Sequence, residues 1–143
     1  MKIRNAVLED NDMIVKLIKD LTESEDVRYF LLTSVVEKYL DQPDARILLA
    51  EENGISVGII SFFIRFNLFH AGRVCQIEEL VVKEEMQGRG IGGKLLEEVI
   101  KIAKDQRCAE ISVSTMFTNK RAILFYKNHG LIDEALLLEK HFS

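Results

Sequence analysis

The stretch Ile77-Glu-Glu-Leu-Val-Val82, with Met86-Gln-Gly-Arg-Gly-Ile-Gly-Gly-Lys94 shortly after it, puts an apolar strand pattern in front of a glycine-rich turn. The turn opens an amphipathic helix over 90–104 whose inner face carries Leu95, Leu96, Val99, Ile100 and Ala103. At such a junction the free backbone N–H groups and the helix dipole make an anion site suited to phosphate. Three phosphate-loop patterns compete for it. The run Gly88-Arg89-Gly90-Ile91-Gly92-Gly93 satisfies G-x-G-x-x-G. A dinucleotide fold also needs an acid about 20 residues further on, at the C-terminal end of the next strand, whereas Glu110 stands at the start of its strand. Residues 88–94 also fit the start of a Walker loop, but Leu95 follows where a Ser or Thr must hold magnesium. The third pattern, Q/R-x-x-G-x-G/A, is met by Gln87, Gly90 and Gly92, whose missing side chains let a pyrophosphate approach the amides of residues 87–93. A turn that serves only tight strand-to-helix packing is the bland alternative.

Working outward from this junction, an alternating strand is predicted over 2–7. A helix follows with the stripe Ile14, Leu17, Ile18 and Leu21, capped by Asp10, Asn11 or Asp12, and then a second short helix over 33–40, stopped by Pro43. Strands over 46–51 and 55–66 flank Asn53-Gly54, a strong hairpin turn, and the second of them is apolar on both faces and so central. After the loop 66–72, a strand over 74–82 leads into the glycine turn. A strand over 109–115, a helix over 119–128 stopped by His129-Gly130, and a closing strand over 131–139 complete the chain. The order βαα-βββ-αβαβ predicts an α/β (α+β) domain: a mixed, mostly antiparallel sheet with helices on both faces.

The 143 residues suit one domain spanning 1–143, and 48% hydrophobic residues suffice to fill one core. A net charge of -4 argues against a nucleic-acid-binding surface and leaves room only for a local basic patch. The longest uncharged stretch, 55–64, is far short of the roughly 18–20 apolar residues of a membrane span. Met1-Lys2 leads into a strand pattern rather than a signal peptide. A soluble, cytoplasmic protein with no membrane or nucleic-acid partner is the expectation. Cys75 and Cys108 show no metal-ligand spacing, so core packing in a reducing compartment is the simpler reading, and no metal is expected.

The strand-and-loop block 77–92, paired with Asn119-Lys-Arg-Ala-Ile-Leu-Phe-Tyr-Lys-Asn-His-Gly-Leu131, resembles the GNAT superfamily of acetyl-CoA-dependent N-acetyltransferases. The resemblance runs from Met1 to Phe142. It implies a sheet whose third and fifth strands in the central region splay apart to admit the pantetheine arm of acetyl-CoA. It also implies cofactor contacts from Leu80, Val81 and Val82, from Gln87, Gly88, Arg89, Gly90, Ile91, Gly92, Gly93 and Lys94, and from Asn119, Ala122 and Phe125. Tyr126 occupies the position where that family keeps a general acid; an ordinary core tyrosine is the alternative.

Acetyl transfer to an amine needs a base, because an unperturbed lysine-like amine has a pKa of about 10.4 and only the free amine attacks a thioester. Glu78 and Glu79 interrupt an apolar strand, and a carboxylate in low dielectric gains the proton affinity that the task requires. The apolar positions Ile77, Leu80 and Val82 are spaced three then two, which marks a β-bulge between Ile77 and Leu80, so either glutamate can face the acceptor. Some members of the resembled family carry their glutamate base two residues earlier, where this chain has Gln76. An edge salt bridge to Arg65 or Arg73 is the alternative role for both glutamates.

Within the superfamily the chain is similar to the aminoalkylphosphonate N-acetyltransferases in its length, its Phe69-His70 loop, its Glu79-Leu-Val-Val82 strand and its Phe142 ending. A phosphonate acceptor would need cations, and Arg28, Arg65, His70 and Arg73 are candidates, whereas Asp20, Glu23, Glu25 and Asp26 would favour a polyamine, aminoglycoside or peptide amine. Arg89, Lys94, Lys120 and Arg121 supply a basic rim for the cofactor phosphates. The first hypothesis is therefore an N-acetyltransferase acting on a primary amine of a small molecule or peptide by direct attack in a ternary complex. A catalytically silent acyl-CoA-binding regulatory domain is the alternative. Leu136-Leu-Leu138 suits either core burial or a homodimer contact.

Overall fold

The computed structural model describes residues 1–22 and 29–142. Strands β1 (Lys2–Asn5), β2 (Ala45–Glu52), β3 (Ile55–Asn67), β4 (Gly72–Val82) and β5 (Ile111–Val113) form one sheet in the order β1-β2-β3-β4-β5. The first three pairings are antiparallel and β4 pairs β5 in parallel. Helices α1 (Asn11–Thr22), α2 (Tyr29–Asp41), α3 (Ile91–Asp105) and α4 (Lys120–Asn128) complete the elements. The predicted hairpin is present: Asn53 and Gly54 take φ of 51° and 78° between the paired Glu52 and Ile55.

β3 is central, as its two-faced apolar pattern requires, and Ile59 and Ile60 are both 0% exposed on opposite faces. On one face Leu48, Ile60, Phe62, Cys75 and Ile77 pack against Leu95, Leu96, Val99 and Tyr126 of α3 and α4. On the other, Ile47, Leu49, Ile59 and Val81 pack against Ile14, Leu17 and Val36 of α1 and α2. Asn11 fastens this second layer by donating from Nδ2 to the Thr33 carbonyl at 3.0 Å. Arg4 ties β1 to β2 and to the start of α1 through Glu51 and Asp10, each at 2.8 Å.

Two features of β4 set up the site. Ser61 pairs with Glu79 and Phe62 with Ile77, so Glu78 is the extra residue of the predicted bulge. β5 pairs with β4 only through Cys75, Gln76 and Ile77, so residues 78–82 have no strand beside them on that edge. The strands that part are thus the fourth and fifth in chain order, rather than the third and fifth.

The predicted closing strand over 131–139 is not formed. After Leu131 donates its N–H to the Tyr126 carbonyl at 3.1 Å, the chain leaves α4 without entering the sheet. A strand needs a partner's ladder of donors and acceptors, and β5 offers an edge of only three residues. Ile132, Leu136, Leu137, Leu138 and Phe142 are left exposed. Core burial, one of the two roles open to Leu136-Leu-Leu138, is excluded within this chain.

Gly58 sits at a close approach between β3, β4 and α3. A Cβ there would sit 3.0 Å from the Val81 carbonyl oxygen and 3.4 Å from Leu95 Cδ1. Gly58→Ala is expected to destabilise the protein by about 1–3 kcal/mol in urea denaturation; an unchanged midpoint would show that β3 yields freely there.

Candidate active site

The glycine turn is built from backbone conformation. A 3₁₀ turn at Glu84–Met86 follows β4, and Gly88 and Gly90 both take φ of 80°, a region that L side chains rarely adopt. Gln87 ties the turn back by donating from Nε2 to the Val82 carbonyl at 3.2 Å. Lys94 N–H donates to the Gly90 carbonyl at 3.1 Å, so the amides of residues 91–93 precede the first intrahelical bond and lack helical acceptors. Buried Ile91 anchors this end of α3, while Gly88, Arg89, Gly90 and Lys94 are exposed around it.

Gly92 then sits where α3, α4 and the open edge of β4 meet. A Cβ there would lie 3.7 Å from Phe125 Cζ, 3.8 Å from Val82 Cγ2 and 3.9 Å from Leu80 Cδ2, in ordinary contact with all three. Amide donors at a helix start, with apolar walls of Leu80, Val82 and Phe125 behind them, fit a ligand that is anionic at one end and slender and apolar behind it. Gly93 faces His129, whose Nε2 would lie 3.5 Å from a Cβ at that position.

Asn119 caps α4, its Oδ1 accepting from the Ala122 N–H at 3.1 Å. At the other end, His129 Nδ1 lies 2.8 Å from the Phe125 carbonyl, which can only accept, so the proton sits on Nδ1. Phe125 stands edge-on to Tyr126, centroids 5.2 Å apart. Tyr126 is 9% exposed within the α3 cluster, and burial pushes its phenol above the ordinary value. Lys120 and Arg121 are exposed at the start of α4, as Arg89 and Lys94 are at the start of α3.

The two glutamates lie on the other face. Ile77 and Leu80 both pack into the α3 cluster, so the bulge turns Glu78 and Glu79, between them, toward the α1/α2 side. Ser61 Oγ donates to Glu79 Oε2, and the Glu79 N–H donates back to Ser61 Oγ at 3.0 Å. Burial holds the Glu79 carboxyl above the usual carboxylate range; the Ser61 bond opposes this and the nearby Glu78 charge adds to it. Glu78 itself is exposed. Tyr39 packs edge-on to Phe63 at 5.1 Å, and its buried hydroxyl has no hydrogen-bond partner among the described residues although it adjoins Ser61.

The expected alternative, ion pairs from the glutamates to Arg65 or Arg73, is not formed. Arg65 donates to Gln76 Oε1 at 3.2 Å and lies over Phe63, while Arg73 lies over Phe66, each 4.9 Å from its ring. Tyr126 and the glutamates occupy opposite faces, and past Ile77 β5 no longer lies beside β4. Tyr39 and Ser61 escaped the sequence reading; the available signal was Ser61, a lone hydroxyl in the uncharged run 55–64 that a hairpin register sets opposite the glutamates.

His70 is engaged with Glu110, Nε2 to Oε1 at 3.3 Å. Both cysteines are free, and burial pushes the Cys75 thiol up to about 12, in keeping with a packing role. Asp20 is exposed on α1. Glu23, Glu25, Asp26 and Arg28 lie outside the described residues. Among the described residues, no helix is long and apolar enough to cross a membrane.

A phosphate-type helix start, apolar side chains at a parted pair of strands and a carboxylate pair at a bulge are thus brought to one edge of the sheet. Residues 12–131 match the sequence profile of the acetyltransferase (GNAT) family. The chain belongs to this family. It is 33% identical over 129 residues to an aminoalkylphosphonate N-acetyltransferase from Salmonella typhimurium, covering 90% of this chain and 83% of that protein. It is 28% identical to a thialysine N-epsilon-acetyltransferase from Bos taurus, covering 92% of this chain and 84% of that one. In fold it matches a putative acetyltransferase from Agrobacterium tumefaciens with a TM-score of 0.89 at 24% identity, over 99% of this chain and 100% of the other. The protein is an acyltransferase, an N-acetyltransferase of the GNAT type, and the co-substrate of that family is acetyl-CoA.

Proposed function

We propose that this GNAT enzyme transfers an acetyl group from acetyl-CoA to a primary amine of a small molecule, by direct attack in a ternary complex. The observation that carries the reading is the glycine turn at the start of α3, set beside the edge of β4 that β5 leaves unpaired just past the glutamate bulge. Acetyl-CoA supplies an activated thioester. The amides of residues 87–93 bind its pyrophosphate, with Arg89, Lys94, Lys120 and Arg121 adding positive charge around it. Leu80, Val82, Gly92 and Phe125 form the apolar walls behind those amides, Val81 contributes backbone, and Asn119 and Ala122 present the start of α4 to the same ligand.

Glu78 is the base. It is the exposed member of the pair and so can reach an acceptor directly or through one water, while Glu79 is held by Ser61. Glu78 takes one proton from the ammonium and passes it to solvent. As the nitrogen bonds to the acetyl carbon and the carbon–sulfur bond breaks, a backbone N–H of residues 80–82 stabilises the charge developing on the acetyl oxygen. Tyr126 gives its proton to the departing thiolate, and the second proton lost by the nitrogen replaces it. Burial keeps Tyr126 in the phenol form that can donate. The transfer is uphill for an ordinary phenol of pKa about 10 and a thiol of about 8.5, but desolvation raises the thiolate's proton affinity too.

The acceptor carries an acidic group as well as its amine. Arg65 is exposed and, by its register on β3, projects to the same face as Ser61 and Phe63, near the glutamates. The Salmonella relative is named for aminoalkylphosphonates. The enzyme also forms a homodimer through residues 131–142, whose exposed Leu136, Leu137, Leu138 and Phe142 need cover and whose backbone needs a strand partner.

Thiol release from acetyl-CoA with aminoalkylphosphonates, ω-amino acids and polyamines tests the reading. Turnover with the acidic amines is expected. Tight cofactor binding without turnover on any amine would leave the silent regulatory domain instead. Tyr126→Phe is expected to lower kcat by about a hundredfold with cofactor affinity nearly unchanged; an unaltered kcat would remove Tyr126 from the mechanism. Gly92→Asp, which places a carboxylate against those walls, should abolish acetyl-CoA binding in calorimetry, and retained micromolar affinity would contradict the cradle. Sedimentation velocity should give a dimer that Leu137→Lys/Leu138→Lys reduces to monomer.

A further inference from the structure

The unused groups nearest the glutamate bulge are Ser61 and Tyr39. We propose that Tyr39 and Ser61 are positioning residues of the acetyl transfer: with Glu79 they form a chain of polar groups beneath Glu78 that sets how readily Glu79 carries negative charge beside the base. This inference rests on the reading of Glu78 as the base.

Ser61 Oγ spends its proton on Glu79 Oε2 and accepts the Glu79 N–H, which leaves one lone pair. Tyr39 Oη adjoins it with its own proton unplaced, and a buried hydroxyl without a partner is costly enough to demand one. A small movement of Tyr39 toward Ser61 closes the chain from Tyr39 through Ser61 to Glu79. Donation from Tyr39 strengthens donation from Ser61, so both hydroxyls favour the ionised form of Glu79.

The chain matters to Glu78 because a bulge sets the two carboxylates side by side on one face. The Glu78 charge then adds to the proton affinity of Glu79. Burial of Glu79 pushes that affinity up most, and the Ser61 bond draws it down. The remaining surroundings are largely apolar. Ile14 and Leu17 face this side from α1, Ile47 and Leu49 from β2, and Val36 from α2. Among the described residues, the charged or titratable groups that act on the cluster are Glu78, Tyr39 and Arg65, the last acting on Tyr39 while it donates to Gln76.

The experiment follows the glutamate carboxyl carbons by NMR through a pH titration of the intact protein, alongside pH profiles of kcat/KM for an amine that the wild type acetylates. Ser61→Ala should move the upper glutamate titration and the acid limb of kcat/KM together to higher pH by about one unit, the scale of one hydrogen bond to a carboxylate. Tyr39→Phe, which retains the ring against Phe63, should move both the same way by a few tenths of a unit, roughly the cooperative share of such a bond. Glu79→Gln removes the like charge and should move the acid limb to lower pH.

A purely structural role would lower melting temperature or kcat and leave both titrations in place, which would overturn the proposal. A shifted NMR titration with an unmoved acid limb would overturn it equally. Glu78→Gln separates the two levels. Undiminished activity in that variant defeats the reading of Glu78 as base, whereas lost activity combined with unmoved titrations in Ser61→Ala and Tyr39→Phe defeats only the inference about the support.

Discussion

One extra residue in β4 governs the arrangement of this molecule. In an unbroken strand, side chains alternate between faces, and Glu78 and Glu79 would have been divided between the α1/α2 and α3/α4 layers. Inserting Glu78 between the pairs Phe62–Ile77 and Ser61–Glu79 lets Ile77 and Leu80 remain together in the α3 core. Both carboxylates are thereby delivered to the opposite side. The bulge also coincides with the last residue of β4 that β5 accompanies, Ile77 opposite Val113. Bending and loss of pairing fall at the same point, so the backbone of residues 80–82 becomes available at the place where the carboxylates emerge.

That coincidence explains the division of labour between the two faces. The glycine turn, Gly92, Phe125 and Tyr126 belong to the α3/α4 side, where the proposed co-substrate is held. The glutamates, Ser61, Tyr39 and Arg65 belong to the α1/α2 side, where the proposed acceptor arrives. The proposed ternary complex suits such geometry, because two ligands entering from opposite faces would not compete for space and would meet in the gap beyond β5. The charge distribution agrees with it: the cations at the starts of α3 and α4 are kept apart from the acids at the bulge by the thickness of the sheet.

Most of this was legible in the sequence because it is written in local patterns. The Asn53-Gly54 turn, the two-faced apolar run of β3 and the irregular spacing of Ile77, Leu80 and Val82 each encode their structure within a few residues. The glycine turn does the same through the positive φ at Gly88 and Gly90. What escaped depends on partners distant in the chain. Tyr39 and Ser61 are brought to Glu79 by packing of α2 on the sheet and by the β3–β4 register, neither of which a single segment specifies. The closing strand failed for the same reason. Apolar side chains over 131–139 are local, but a strand exists only where a second backbone lies alongside it, and within one chain β5 does not supply one.

The placement of Glu79 is the costliest feature of the site and the most informative about its chemistry. Half-burying a carboxylate beside another is unfavourable unless hydrogen bonds favour its charge, and a core built only for stability would put an apolar residue opposite Ser61. Here the sheet retains the carboxylate and furnishes it with a hydroxyl that both donates and accepts. Burial and the neighbouring charge pull its proton affinity up while the hydroxyl pulls it down. The net effect is a raised proton affinity, which the arrival of a cation would lower. An ammonium approaching the proposed base would therefore favour the ionised form of Glu79 beside it.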